Sequence, residues 1–99
     1  VPVDTVRQAL AGGEAHLLDV REPWEHEKQR IPGAVLIPMA QIPARLGEIP
    51  TDRDVYVHCA VGARSARVVE YLRSKGIERS YNMGGGLEAW VRAGLPVEE

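Results

Sequence analysis

The run His58-Cys59-Ala60-Val61-Gly62-Ala63-Arg64-Ser65 contains the only cysteine of the sequence and its best opportunity for chemistry. It follows Asp54-Val55-Tyr56-Val57-His58, whose β-branched and aromatic side chains predict a strand. A helical period sets in at Ser65, so Cys59 is expected at a strand's carboxyl end and under a helix N-terminus. Such an end offers unpaired N–H groups and roughly half a positive charge, and a curled loop adds its own N–H groups. Gly62 gives the backbone the freedom to curl. In that setting the thiolate gains over the thiol, which suits a nucleophile that carries or attacks an anionic group. Arg64 and Arg67, one turn apart, are expected to add positive potential at the mouth. The competing reading is a small buried hydrophobe at the end of an apolar strand.

Other polar residues sort around this run. Arg64 ends the loop and is expected either to face an anionic donor or to lie on the surface, whereas Arg67 is expected to pair with Glu70 at i,i+3. Asp19 and Arg21, at the end of an earlier apolar segment, read as a structural charge network. His58 points to the opposite face from Cys59 in an extended strand, which makes it a packed core residue and a poor general base. His16 and His26 have no ligand spacing, so no metal site is expected. Trp24 and Trp90 read as anchors between helix and sheet, with the pocket mouth as their alternative place. Gly84-Gly85-Gly86 lacks both phosphate-loop patterns and reads as a tight strand-to-helix turn.

These residues must be positioned by a small domain. Ninety-nine residues suit one domain spanning 1–99, and 44% hydrophobic with 26% charged residues is an ordinary globular mix. With no Phe and five aromatic residues, the core must come from Val, Leu, Ile and Ala. Strands are predicted at 15–20, 35–37, 54–58 and about 79–83. Helices are predicted at 4–11 with Asp4 as cap, at 65–75, and at about 86–93. In the second helix Ala66, Val69 and Leu72, with Val68 alongside, form the apolar stripe, while Arg67, Glu70 and Arg73 face away. Strands alternating with helices imply a parallel α/β sheet covered on both faces. A net charge of −2 leaves no footprint for nucleic acid or an anionic membrane. One cysteine excludes an internal disulfide and a multi-cysteine zinc site. No apolar run approaches a membrane span, and Val1-Pro2-Val3-Asp4 shows no secretory signal. The expectation is a cytoplasmic monomer, although a chain beginning at Val1 is compatible with a trimmed leader.

Taken in order, the landmarks resemble the rhodanese-like sulfurtransferases over almost the whole chain. They are Leu18-Asp19-Val20-Arg21-Glu22, Ile31-Pro32-Gly33-Ala34 leading into Ile37-Pro38, and the loop Cys59 to Arg64 with Ser65. Gly84-Gly85-Gly86-Leu87-Glu88-Ala89-Trp90 and Gly94-Leu95-Pro96-Val97 complete the set. The resemblance implies a three-layer α/β rhodanese fold with a mostly parallel sheet of about five strands and helices on both faces. It makes Cys59 the persulfide-forming cysteine, with Ala60, Val61, Gly62, Ala63 and Arg64 binding substrate. Asp19, Arg21, Ser65 and Arg67 are supporting candidates. Arg30 stands where the family's turn usually has His, a position that reads as structural. Ala60 replaces a larger or basic residue and bears on donor preference.

The fold alone does not choose the chemistry, because phosphatases and arsenate reductases share it. Cysteine phosphatases place five residues between Cys and Arg, and here four lie between Cys59 and Arg64. The tighter loop suits one terminal sulfur, with N–H groups from about Val61 to Arg64 around a Cys59 persulfide. The expected donor is thiosulfate or a persulfide. The acceptor, an external thiol, cyanide or a protein, must come from outside because no second cysteine exists. No cofactor is implied. The alternatives are a phosphatase or arsenate reductase, and a sulfur-relay or interaction module with little free catalysis.

Overall fold

Successive side chains along the two central strands enter opposite apolar layers. In β1 (His16–Asp19) Leu18 goes to one layer and Leu17 to the other. In β3 (Val55–His58) Val55 and Val57 separate from Tyr56 in the same way. Strands apolar on both faces must be covered twice, as in parallel sheets. The computed structural model, which describes residues 1–99, has this arrangement. Four parallel strands run in the order β2-β1-β3-β4, with β2 at Val35–Leu36 and β4 at Ser80–Asn82.

One layer packs α3 (Ala63–Ser74) and the 3₁₀ helices Met39–Gln41 and Pro43–Glu48 onto the sheet through Val68, Leu72, Ile42 and Ile49. The other packs α1 (Val3–Ala11) and α4 (Gly86–Arg92) through Val6, Leu87 and Trp90. No helix is long and apolar enough to cross a membrane. The chain leaves β1 toward β2 on one side and then places β3 on the other, so β1 and β3 flank a switch point. A crevice is expected outside their carboxyl ends. Asp19 and Arg21 arrive there from β1, and Cys59 arrives from β3.

The sheet has four strands where about five were expected. The C-terminal return pairs in strand fashion at a single residue pair, an antiparallel bridge between Arg30 and Glu98. Their N–H groups donate to each other's carbonyls at 2.9 and 2.8 Å, which gives Arg30 a structural place. Helix α1 starts one residue before Asp4, because Pro2 takes the extended cap conformation. Asp4 instead accepts from Arg7 and Gln8 at 2.8 and 2.9 Å. Helix α3 starts two residues before Ser65, because Gly62 adopts φ 108° and turns the chain into the helix.

That earlier start rotates the buried stripe to Ser65, Val68, Val69 and Leu72, leaving Ala66 exposed. Arg73 is exposed as expected, but its guanidinium has partners. Its Nε and Nη2 donate to the Ser80 carbonyl at 3.0 and 2.8 Å, and its guanidinium lies over Tyr81. Arg67 and Glu70 are both exposed and form no pair, in keeping with the small gain such a solvated pair offers.

Helix α2 (Pro23–Lys28) was not anticipated from the sequence. It is fixed locally by a capping box in which the Glu22 N–H donates to Glu25 Oε1 at 2.9 Å, with Pro23 at the first position. The two tryptophans part company. Trp90 is buried and its Nε1 donates to the Pro96 carbonyl at 2.8 Å, as an anchor should. Trp24 is 64% exposed on α2 and anchors nothing in the sheet.

Candidate active site

The Cys59 sulfur sits where the switch point, the loop and the start of α3 meet. Gly62 N–H donates to Sγ at 3.1 Å, Ser65 N–H at 3.4 Å and the Ser65 hydroxyl at 3.4 Å. Burial alone would push the thiol up. The Ser65 hydroxyl and the N–H groups of Ser65, Gly62 and Val61 outweigh it, and the thiol lies below its ordinary value. The N–H groups that donate to Sγ at the distances given are those of Gly62 and Ser65. Gly62 closes the curl and its neighbour Ala63 opens α3. Val61 is exposed at the rim, and Ala60 is half-buried.

Ser65 is held by a residue that the sequence did not mark. Asn82, the one asparagine of the chain, has its Oδ1 at 2.6 Å from the Ser65 hydroxyl and its Nδ2 donating to the Gly62 carbonyl at 3.3 Å. Replacing Ser65 with Ala removes a donor from the thiolate while keeping the backbone. The Cys59 thiol of Ser65→Ala is therefore expected to titrate higher, with the pH midpoint of iodoacetamide alkylation moving up. An unmoved midpoint would exclude the hydroxyl as a thiolate donor.

The loop faces inward with its N–H groups because its carbonyls are taken from behind. The N–H groups of Leu87 and Glu88, in the first turn of α4, donate to the carbonyls of Cys59 and Ala60 at 2.9 and 3.0 Å. This close approach requires glycine at 86, where φ is +58° and a Cβ would lie 2.5 Å from the Cys59 oxygen. Gly86→Ala should lower stability by about 2–3 kcal/mol through clash and strain. Gly76→Ala, at φ +91° in open space, should cost only about 1 kcal/mol. Urea midpoints at unchanged m-value measure both, and equal losses would refute the clash. The glycine run is thus the tight turn that the sequence implied, with a packing role added.

Beneath the loop lies the Asp19 network. The Asp19 carboxylate is fully buried and accepts from Arg21 Nε at 3.0 Å, Arg21 Nη2 at 2.8 Å and the Arg21 N–H at 3.0 Å. His26 Nδ1 lies 2.9 Å from Oδ2 of the same carboxylate. Arg21 also donates to the carbonyls of Gln29 and Glu25 at 2.7 and 3.4 Å, tying α2 to the sheet. His58 shares the face of Asp19, with Nε2 at 3.9 Å from its Oδ2 and Nδ1 beside its neighbour Cys59's carbonyl at 3.2 Å. Burial lowers the imidazole's pKa and favours its neutral form, and it does not reach the sulfur. Asp19 and Arg21 are therefore neighbours of the loop that support it through α2.

Arg64 lies partly exposed and spans the mouth to α2, where it grips Glu25 with two bonds, Nη1 to Oε1 at 2.8 Å and Nη2 to Oε2 at 3.0 Å. The bond to Arg64 lowers the Glu25 carboxyl against partial burial, and the bond to Glu25 raises the guanidinium, with the Cys59 thiolate adding to that rise. The positive potential expected of Arg64 is thus matched by a carboxylate. Arg67 remains on the exposed side of α3 and shares none of these contacts. A shallow cleft of about 290 Å³ adjoins the loop between Gln29, Ala60, Leu87 and Val91. The larger groove, about 630 Å³, opens at the amino end of the sheet around Gly13, Asp52, Arg53 and Arg79, away from Cys59.

A parallel α/β sheet whose switch-point loop closes N–H groups around one cysteine sulfur defines a thiol-centred domain. Residues 2–93 match the rhodanese-like domain, and the chain belongs to the rhodanese-like family. It is 45% identical to a protein named sulfurtransferase from Allochromatium vinosum, over 95% of this chain and 89% of that one. It is 30% identical to the thiosulfate sulfurtransferase GlpE of Vibrio cholerae, covering 99% of this chain and 92% of that one. The fold also superposes on the crystal structure of a rhodanese-related protein from Thermoplasma volcanium. The TM-score is 0.91 at 28% identity, over 99% of this chain and 95% of the other.

Proposed function

We propose that this chain is a single-domain sulfurtransferase in which Cys59 carries sulfane sulfur as a persulfide. The observation that supports it best is the convergence of Gly62 N–H, Ser65 N–H and the Ser65 hydroxyl on one sulfur atom. Those donors favour the thiolate before reaction and stay close to the terminal sulfur after it. Cys59 is 1% exposed, so a donor must present its outer sulfur end-on to the thiolate.

In the first half-reaction the Cys59 thiolate attacks the outer sulfur of thiosulfate. A new S–S bond forms, the donor's S–S bond breaks, and sulfite leaves with the electron pair. A persulfide donor reacts in the same way and releases its thiol. In the second half-reaction cyanide or an external thiol attacks the terminal sulfur and restores the thiolate. This is covalent ping-pong catalysis. Arg64 and the loop residues Ala60, Val61, Gly62 and Ala63 contact the donor, while Asp19, Arg21 and Ser65 hold the loop in shape.

The test is a thiocyanate-forming assay run beside p-nitrophenyl phosphate hydrolysis. Thiocyanate formation without phosphate ester turnover is the expected result. Hydrolysis of the phosphate ester alone would overturn the reading in favour of a phosphatase.

A further inference from the structure

The Arg64–Glu25 pair is built into the fold. Glu25 is set by the α2 capping box, where Glu22 N–H donates to its Oε1 at 2.9 Å. The α2 carbonyls are in turn held by Arg21, itself locked onto the buried Asp19. Glu25 thus arrives at the mouth in a fixed place, 39 residues from its partner in sequence, and both its oxygens are engaged by Arg64. Its side chain is 15% exposed against 34% for Arg64, so the carboxylate is the more enclosed of the two charges. Arg67, the next cation on α3, is exposed and belongs to no such pair. A donor approaching Cys59 therefore meets a cation already matched by a carboxylate.

We propose that Glu25 is a specificity-determining residue that sorts sulfur donors by charge, disfavouring dianions relative to monoanions. The inference rests on the sulfur-transfer reading of Cys59 and deepens it. The physical basis is that Coulomb energy is linear in the donor's charge, so a dianion feels Glu25 twice as strongly as a monoanion in the same pose. Glu25 acts through Arg64 and by its own field, and it touches neither the reacting sulfur nor the leaving group.

Thiosulfate and methanethiosulfonate make a matched pair of probes. Both present a sulfane sulfur on a sulfonyl-type centre, and they leave as sulfite and methanesulfinate. Values of kcat/KM for both donors are to be measured in wild type, Glu25→Gln, Glu25→Asp and Arg64→Gln. Gln at the third helical position keeps the capping box. In Glu25→Gln a gain of about threefold for the monoanion implies about ninefold for thiosulfate, so their ratio shifts by about threefold. Glu25→Asp should keep the wild-type ratio, and Arg64→Gln should move it the opposite way by leaving Glu25 unmatched.

An unchanged ratio in Glu25→Gln, an equal loss for both donors, or shifts of the same sign in Glu25→Gln and Arg64→Gln would overturn the charge sorting. Should Glu25→Gln fail to fold, Glu25→Ala, which also removes the carboxylate, carries the same decision. Absence of sulfur uptake by the wild type from either donor would instead overturn the sulfur-transfer reading itself.

Discussion

Cys59→Ser should fold as the wild type does and take up no sulfur. Intact mass after thiosulfate treatment should show one added sulfur atom on the wild type and none on the variant. Thiocyanate formation should fall by roughly a thousandfold or more, the scale set by loss of a covalent nucleophile. Serine is nearly the size of cysteine, and its oxygen can accept from the same Gly62 and Ser65 donors, so the loop keeps its partners. What it lacks is an accessible anion. An alkoxide would need a base, and His58, the imidazole next in sequence, lies on the other face with a lowered pKa. The urea midpoint should stay within about 1 kcal/mol of wild type, since the swap conserves volume. An equal gain of sulfur in Cys59→Ser would place the chemistry on another residue.

Asp19→Asn should be the most destabilising conservative change in the chain, at about 3–5 kcal/mol, because it strands a buried guanidinium. The side chains of Asp19 and Arg21 are 0% and 4% exposed. Asn keeps the shape and one acceptor oxygen but removes the charge, and its amide N–H2 brings a second donor against the buried guanidinium, which otherwise has only backbone carbonyls. Burial would raise the Asp19 carboxyl, but bonding from Arg21, the nearby His58 imidazole and bonding from His26 lower it below its ordinary value. A lowered folded-state pKa means that the stabilisation is fully present above the unfolded value of about 3.9 and is lost as pH falls through the folded one. The gap between wild type and Asp19→Asn should therefore be widest at neutral pH and narrow only under strong acid. A gap that widened on acidification would contradict this assignment of charge. Because Arg21 also restrains α2, the variant should in addition lose the fixed Arg64–Glu25 clamp.

What could be read from the sequence followed the range of each interaction. The central strands were legible because Leu17-Leu18 and Val55-Tyr56-Val57 are apolar on both parities, which demands a doubly covered sheet. The setting of Cys59 was legible for the same reason, since a strand, a short loop and a helical period stand side by side. Helix α3 starts ahead of the helical period, which becomes visible only at Ser65. The backbone instead turns at Gly62, and the Ser65 hydroxyl lies between the sulfur and Asn82 Oδ1, with one proton to give to either.

Helix α2 is too short for a helical period, although Glu22 and Glu25, spaced three apart with Pro23 between them, are a readable capping signal. The roles of Asn82 and Glu25 were beyond reach. Each is defined by a partner 17 or 39 residues away, and one exposed-looking carboxylate in Glu22-Pro23-Trp24-Glu25-His26-Glu27 resembles the next.

The loop carbonyls held by Leu87 and Glu88 have a consequence for when the surroundings of this thiol are complete. The N–H groups that shape the loop come from the last helix of the chain, and Asn82, which fixes Ser65, comes from the last strand. These contacts are non-local, and such contacts form late because loop closure must precede them. A chain folded only through β3 and α3 would hold the Gly62 and Ser65 donors near Cys59 without the contacts from Leu87, Glu88 and Asn82 that fix them. The surroundings of the single cysteine are thus fully fixed only when the whole fold is in place.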